Sequence, residues 1–332
     1  IHLNPVPTVF LPASTSYIIP LPAGCKFIIY RNNRINLCLF FLSWRIPTGT
    51  MIVEKISEKK VAFMPTEGIE MSVTVSKEDI VKAFREAGVH EKDTILIHSS
   101  LKSFGYVEGG AMSVIDAAKE AVTEEGTVVF PTLVQRDFAN AYKNWDKDKS
   151  PSDVGYITEV FRKLPGSYRS DQATHSVAAW GKNALELVSE HTAYGPRQGV
   201  FGDYCFSYSS PWQKMYFLGT RIVFIGVNTV YNTFKHFAEY KLVEFYLNSI
   251  PCEKRKCMAM SKIARHNIPG VWPFHDANKT EKALDEAGLI SYAKCGRSLF
   301  TSIRADEYTD FVSKLFKENP DVLLPEEFIR VL

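Results

Sequence analysis

The sequence carries no G-x-S-x-G elbow, no G-x-x-x-x-G-K-[ST] loop and no G-x-G-x-x-G turn. Those absences speak against an α/β-hydrolase nucleophile, a phosphate-cradling P-loop and a dinucleotide-binding crossover. An excess of one charge sign is also missing. Its 39 Lys and Arg against 37 Asp and Glu leave a net charge of +2, far from the basic surplus that nucleic acid or an anionic membrane surface calls for. Cysteine is sparse: Cys25, Cys38, Cys205, Cys252, Cys257 and Cys295 are scattered over 332 residues. A chain this long builds its core without disulfides, so reduced thiols and a cytoplasmic setting are expected. The C-x2-C pair of a zinc site is absent as well. Cys252 and Cys257 have four residues between them, and no metal is expected.

Residues 1–50 differ from the rest of the chain. They contain no acidic residue, are rich in proline and sustain no helical or strand period. The apolar run at 37–42, preceded by Arg31 and Arg34, is too short for a bilayer span, and no small-residue cleavage site comes after it. We expect 1–50 to be a poorly ordered, non-native upstream extension, Met51 the natural start, and 51–332 a single domain. The composition, 45% hydrophobic and 23% charged, suits one large core.

The remaining sequence alternates helical and strand patterns. Ser76 and Asp79 make a capping-box start and Gly88 a stop, so the spacing predicts a helix over 77–88. The runs 94–97 and 127–133 read as apolar strands around a helix at 111–123. Further helices are expected at 157–164, 182–189, 233–240, 280–287 and 305–317, and strands at 176–180 and 222–227. The stretches 135–156 and 195–210 read as loops. This order predicts an α/β fold, a layered sheet flanked by helices.

Three polar runs carry candidate chemistry. The first, His98-Ser-Ser-Leu-Lys-Ser103, ends a strand; hydroxyls, backbone N–H groups and a Lys there suit a pyrophosphate, although ordinary polar loops look the same. The second runs from Arg169 to Gly181 and sets His175 just before the apolar VAAW, where an imidazole at a pocket rim can act as a base. The third ends in His236 and Glu239, three residues apart. On a helix the two share a face, as a catalytic pair or as a surface salt link. Asp137, Asp146, Asp148 and Asp153 are candidates for an acidic acceptor pocket, or form a solvated charge run.

These runs, together with GTVVFPT at 126–132, SPW at 210–212 and LDEAGLISYAKCGRS at 284–298, resemble the aminoglycoside 3-N-acetyltransferase family from about Ser72 onward. The resemblance implies acetyl-CoA as co-substrate, no metal, a small-molecule amine as partner, a monomer or homodimer, and a role in antibiotic resistance. It puts coenzyme A on Ser99, Ser100, Leu101, Lys102 and Ser103, with Ser176 touching it. Catalysis falls to His175, Glu239, His236 and His98. The mechanism expected is direct amine attack on the thioester, with His175 as general base and Glu239 orienting it. His236 and His98 would position acceptor or thioester, and backbone N–H groups near Ser99–Leu101 the oxyanion. Where family members often have His-Pro, this chain has Gln172-Ala173, and the loop before Ser210 is altered, so the acceptor is less determined than the chemistry. Alternatives are transfer to another small amine, a hydrolase using Ser99 or Ser100, and a non-catalytic coenzyme A-binding protein.

Overall fold

The computed structural model describes residues 29–32, 35–38, 73–136, 140–263 and 271–331. The chain divides into two units, Ile1–Glu67 and Gly68–Leu332. In the first, β1 (Ile29–Asn32) and β2 (Ile35–Cys38) pair antiparallel, a hairpin where no regular element was expected. The rest of 1–50, and Met51, lie outside the described residues. Among the described residues no helix is long and apolar enough to cross a membrane.

The second unit is built on a mixed sheet of seven strands. Its central strand, β4 (Thr94–Ser99), lies parallel to β6 (Thr127–Pro131) on one side and β9 (Arg221–Ile225) on the other. Beyond β6 come β8 (Val177–Gly181) and β7 (Tyr168–Arg169); beyond β9 come β11 (Ser298–Arg304) and β10 (Ser291–Cys295), all antiparallel to their neighbours. A short parallel pair, β3 (Thr74–Val75) and β5 (Tyr106–Val107), stands apart from it.

Strand alternation divides the core between the two sheet faces. Ile95, Ile97, Val223 and Ile225 pack under α1 (Lys77–Glu86), α2 (Ala111–Val122) and α3 (Tyr156–Phe161). Leu96, Ile222 and Phe224 face the opposite way, toward α4 (Ala184–Val188), α5 (Pro211–Phe217), α6 (Phe234–Asn248), α7 (Glu253–Ile263) and α9 (Ala305–Glu318). The even-numbered face of β4 therefore carries His98 as well, stacked 5.4 Å from Phe224. The expected capping box is present: Ser76 Oγ accepts from the Asp79 N–H at 3.1 Å, and Asp79 Oδ2 accepts from the Ser76 N–H at 2.9 Å. The chain closes with α8 (Ala277–Glu286), preceding β10, and with α10 (Pro320–Leu323) and α11 (Glu326–Val331).

The α/β expectation holds, with departures. β3, β5, β7, β10, β11, α7, α10 and α11 stand where no element is expected from the sequence. In β10 exposed and buried residues alternate over only five positions, too short a period to separate from a loop. α6 runs eight residues past the expected end at 240, because its sequence is apolar on nearly every side and lacks a breaker.

Candidate active site

The C-terminal edge of β4 opens into a cleft of about 510 Å³. Open α/β sheets commonly bind ligands at such strand ends. Its walls include His98 and Ser99 from the first run, Thr174 and His175 from the second, and Asn232, Lys235 and His236 from the third. The three runs thus share one cavity.

Local chemistry explains how each run reaches it. β9 turns at Gly226, whose φ is +62°, and a Cβ there would stand 1.9 Å from Ser103 Oγ. Only glycine lets the third run pass this close to the first. A short 3-10 turn (Thr229–Tyr231) comes next, capped by Asn228 Oδ1 on the Val230 N–H at 3.2 Å. Asn232 Oδ1 then accepts from the Phe234 N–H at 2.9 Å and starts α6. On the other wall the SPW run works as a clamp. Ser210 caps α5, Pro211 takes its first turn, and Trp212 Nε1–H donates to the His175 carbonyl at 3.0 Å. The 195–210 loop is stapled by buried Arg197, which donates to Glu244, the Phe206 carbonyl and Gln213. That loop lays Phe201 and Phe206 against the His175 ring at 5.0 and 4.7 Å.

Glu239 is 2% exposed, so it belongs to no surface salt link. Its Oε2 is 2.8 Å from His236 Nδ1 and accepts from Trp272 Nε1–H at 3.1 Å. Its Oε1 accepts from the His275 backbone N–H at 3.3 Å and stands 3.0 Å from His275 Nδ1, a close contact bent away from the ideal hydrogen-bond line. Burial alone pushes this carboxyl up, but His236 and His275 override it and hold it at about 2. The expectation that Glu239 orients His175 is therefore corrected. One turn of α6 delivers the carboxylate to His236, on its own helix, and not across the cleft. His175 Nδ1 instead faces Thr174 Oγ1 at 2.9 Å. Burial, then the neighbouring His236 and His191, keep the His175 ring neutral, well below its ordinary range. The rings of His175 and His236 lie edge to face with centroids 6.3 Å apart. Burial likewise drives His98 down to about 3, helped by the charge of Lys235. Its Nε2 and the hydroxyl of Ser99 find no hydrogen-bond partner among the described residues. Two buried, unsatisfied polar atoms at a cleft wall mark where a ligand's polar atoms fit.

Ser176 and Ser103 turn their hydroxyls into the fold. Ser176 is fully buried, donating to the Thr132 carbonyl at 3.0 Å, away from the cleft wall. Ser103 Oγ donates to the Ser100 carbonyl at 2.6 Å and lies 2.9 Å from Ser298 Oγ. The Ser100 N–H, expected near an oxyanion, serves the sheet through the Ile225 carbonyl at 2.9 Å. Ser100, Leu101 and Lys102 do not line the cleft, and Lys102 is exposed. The cleft's cation is Lys235, to which no sequence pattern pointed; burial lowers its pKa while Glu239 opposes the shift. Thr174, Trp272 and His275 were also unforeseen, since only tertiary packing brings 272–275 to Glu239. Of the two readings offered for the acidic run, the acceptor pocket is the one the structure disfavours. Asp146 caps the N–H groups of Asp148 and Lys149, and Asp153 those of Gln135 and Arg136. Neither these two nor Asp148 lines the cleft, and Asp137 lies outside the described residues.

A mixed α/β sheet whose central strand ends at a cleft lined by three histidines is an arrangement of the kind that α/β enzymes use to bind small molecules. The particular lineage emerges from comparison. The chain belongs to the aminoglycoside 3-N-acetyltransferase family, whose sequence profile matches residues 96–317. It is 30% identical over 189 residues to the SPβ prophage-derived aminoglycoside N(3')-acetyltransferase-like protein YokD of Bacillus subtilis, a match covering 50% of this chain and 65% of YokD. It is 24% identical over 236 residues to aminoglycoside N(3)-acetyltransferase VII of Streptomyces paromomycinus, covering 65% of this chain and 75% of that enzyme. The crystal structure of YokD superposes with a TM-score of 0.58 at 24% identity, over 75% of this chain and 96% of YokD. That of AAC-IIIb with CoASH gives 0.56 at 17%, over 74% of this chain and 98% of that one. At these identities the superpositions establish the fold.

Proposed function

We propose that this protein transfers the acetyl group of acetyl-CoA to the 3-amino group of an aminoglycoside by direct attack of the amine on the thioester. Family membership supports the reaction class. The single observation that carries the chemistry is the meeting of His98, Ser99, His175 and His236 around one cleft, backed by Glu239. In the step, the amine nitrogen bonds to the thioester carbonyl carbon and the C–S bond breaks. The amine proton passes to a base and then to the departing thiolate. The better-supported base is His236, because the carboxylate beside it holds its Nδ1 and leaves the other ring nitrogen for the cleft. His175, first expected in that role, is held neutral by burial and suits a hydrogen-bonding partner of the thioester oxygen or the acceptor, as neutral imidazoles serve elsewhere. His98 Nε2 and Ser99 Oγ offer further polar contacts, and Lys235 a charge for a coenzyme phosphate.

A specific observation favours a second reading of the acceptor. The described residues lining the cleft include Lys235 but no Asp or Glu, whereas a polycationic drug calls for carboxylates. A less cationic small amine fits those walls. Thiol release from acetyl-CoA, measured over a panel of aminoglycosides and of neutral and anionic amino sugars with mass analysis of products, tests both. Acetylation only of the latter group moves the substrate to the second reading. Absence of transfer to any amine removes the enzymatic one.

A further inference from the structure

Behind His236 the polar contacts continue inward. Glu239, 2% exposed, is faced on its far oxygen by His275 Nδ1 at 3.0 Å, and His275 Nε2 lies 2.8 Å from Tyr308 Oη on α9. His275 and Tyr308 are themselves buried, at 9% and 0% exposure. Both oxygens of Glu239 accept, Oε1 from the His275 backbone N–H and Oε2 from Trp272 Nε1–H, as a carboxylate that only accepts does. His236 Nδ1, 2.8 Å from Oε2, therefore carries hydrogen. His275 Nδ1 lies 3.0 Å from Oε1, off the hydrogen-bond line, and a lone pair there would set two acceptors face to face, so this nitrogen carries hydrogen as well. His275 Nε2 is then a lone pair, and the Tyr308 hydroxyl, which burial and Glu239 keep protonated, donates to it. His236 Nε2 is a lone pair as well, on a ring that lines the cleft.

We propose that His275 and Tyr308 are positioning residues for the acid–base step: they occupy Glu239 Oε1 so that the carboxylate presents Oε2 to His236 and locks that imidazole with its acceptor nitrogen toward the cleft. Neither touches substrate. Both act through Glu239, in the way that a hydrogen bond on one ring nitrogen selects the state of the other. Tyr308 matters because, with a donor on Nε2, His275 cannot turn its own proton away from Glu239. The kinetic part of the inference rests on the acetyl-transfer reading; the tautomer part does not.

The test uses the full chain with 15N-labelled histidine. Long-range 15N–1H spectra report the tautomer of His236 without any substrate. In the unaltered protein His236 is expected as the Nδ1–H tautomer. His275→Leu removes the N–H that faces Oε1 and moves a measurable share of His236 to the Nε2–H form. Tyr308→Phe keeps the shape and loses one hydroxyl, giving a smaller share of the same form. It remains informative if the leucine variant folds poorly. His275→Asn, whose amide can still donate to Oε1, restores the Nδ1–H tautomer. In the rate assay kcat falls with the Nδ1–H share while KM for acetyl-CoA stays. A purely structural role lowers melting temperature and kcat and leaves the tautomer alone; that result overturns the proposal. A wild-type protein that transfers nothing but shows the expected spectra overturns the functional reading instead.

Discussion

Replacing Glu239 by Gln alters one atom type and hardly any volume, which makes it the sharpest probe of the site. Four N–H groups face this carboxylate: Trp272 Nε1, the His275 backbone, His275 Nδ1 and His236 Nδ1. An amide offers one acceptor oxygen and one NH2 donor. Two of the four donors, the indole and the backbone amide, cannot change. They sit on opposite oxygens, so either amide orientation sets a donor against a donor. With the amide oxygen kept toward the His275 backbone, the NH2 group replaces Oε2, and His236 answers by moving its proton to Nε2. The lone pair then faces the amide and the cleft receives an N–H. A base in the wrong tautomer keeps its place and loses its function; the corresponding change in the serine protease triad costs about 10⁴ in kcat. For a base without a covalent step, we expect a loss on the order of 10²–10⁴ in kcat, or about 3–5 kcal/mol of barrier. KM for acetyl-CoA should change little, since Glu239 is no part of the cleft wall. Thiol release under saturating acetyl-CoA measures the effect, with a melting curve to show that the variant is folded. A folded Glu239→Gln protein with kcat within about threefold of the parent would remove the His236–Glu239 pair from the proton transfer.

The same carboxylate makes stability depend on acid. Its folded pKa of about 2 lies below the ordinary glutamate value of 4.5, so its contribution is complete above about pH 4.5 and lost as pH falls toward 2. In denaturant titrations the gap between the parent and Glu239→Gln should be on the order of 3 kcal/mol near pH 6 and shrink below pH 4; a constant gap refutes the linkage. Gly199 lies against Tyr240, where a Cβ would stand 2.0 Å from the ring carbon Cζ. Gly199→Ala should therefore cost about 1–3 kcal/mol, seen as a lower melting temperature, and loosen Phe201 over the imidazoles; an unchanged melting temperature contradicts the close contact. His175→Ala should keep coenzyme binding, read by calorimetry, while losing most turnover, and near-normal turnover would take His175 out of the reacting centre.

The readable part of the fold was the part written in short-range periods. The capping box at Ser76 and the apolar run 94–97 depend on neighbours in sequence, and both stand as expected. The His236–Glu239 contact was legible for the same reason, because one helical turn brings i and i+3 together. What lay beyond reach was whatever needed the third dimension. The burial of Glu239 comes from α6 being enclosed by α9, α7 and the sheet, and an i, i+3 pair reads alike on a surface or in a core. The partner of His175 was misjudged because two histidines and one carboxylate admit two pairings, and spacing cannot choose across a cleft. The carboxylates at 146 and 153 read equally as a pocket or as a solvated run, and they serve as backbone caps, since Asp in a loop serves either purpose.

The placement of Glu239 also indicates what the fold gives up for this site. A bare buried carboxylate would neutralise itself by taking a proton. Here it remains charged because the partners come from three separate segments: His236 from α6 itself, Trp272 and His275 from the stretch before α8, and Tyr308 behind them from α9. An apolar residue at 239 would pack this core with less to arrange, as replacements of buried ion pairs often show. The charge has a local use instead. It sets one ring nitrogen of one histidine at the edge of a cavity, and the three segments that hold it there cannot shift without changing which nitrogen faces the cleft. On that account changes at Trp272, His275 or Tyr308 should register in the tautomer of His236 before they register in the binding of coenzyme.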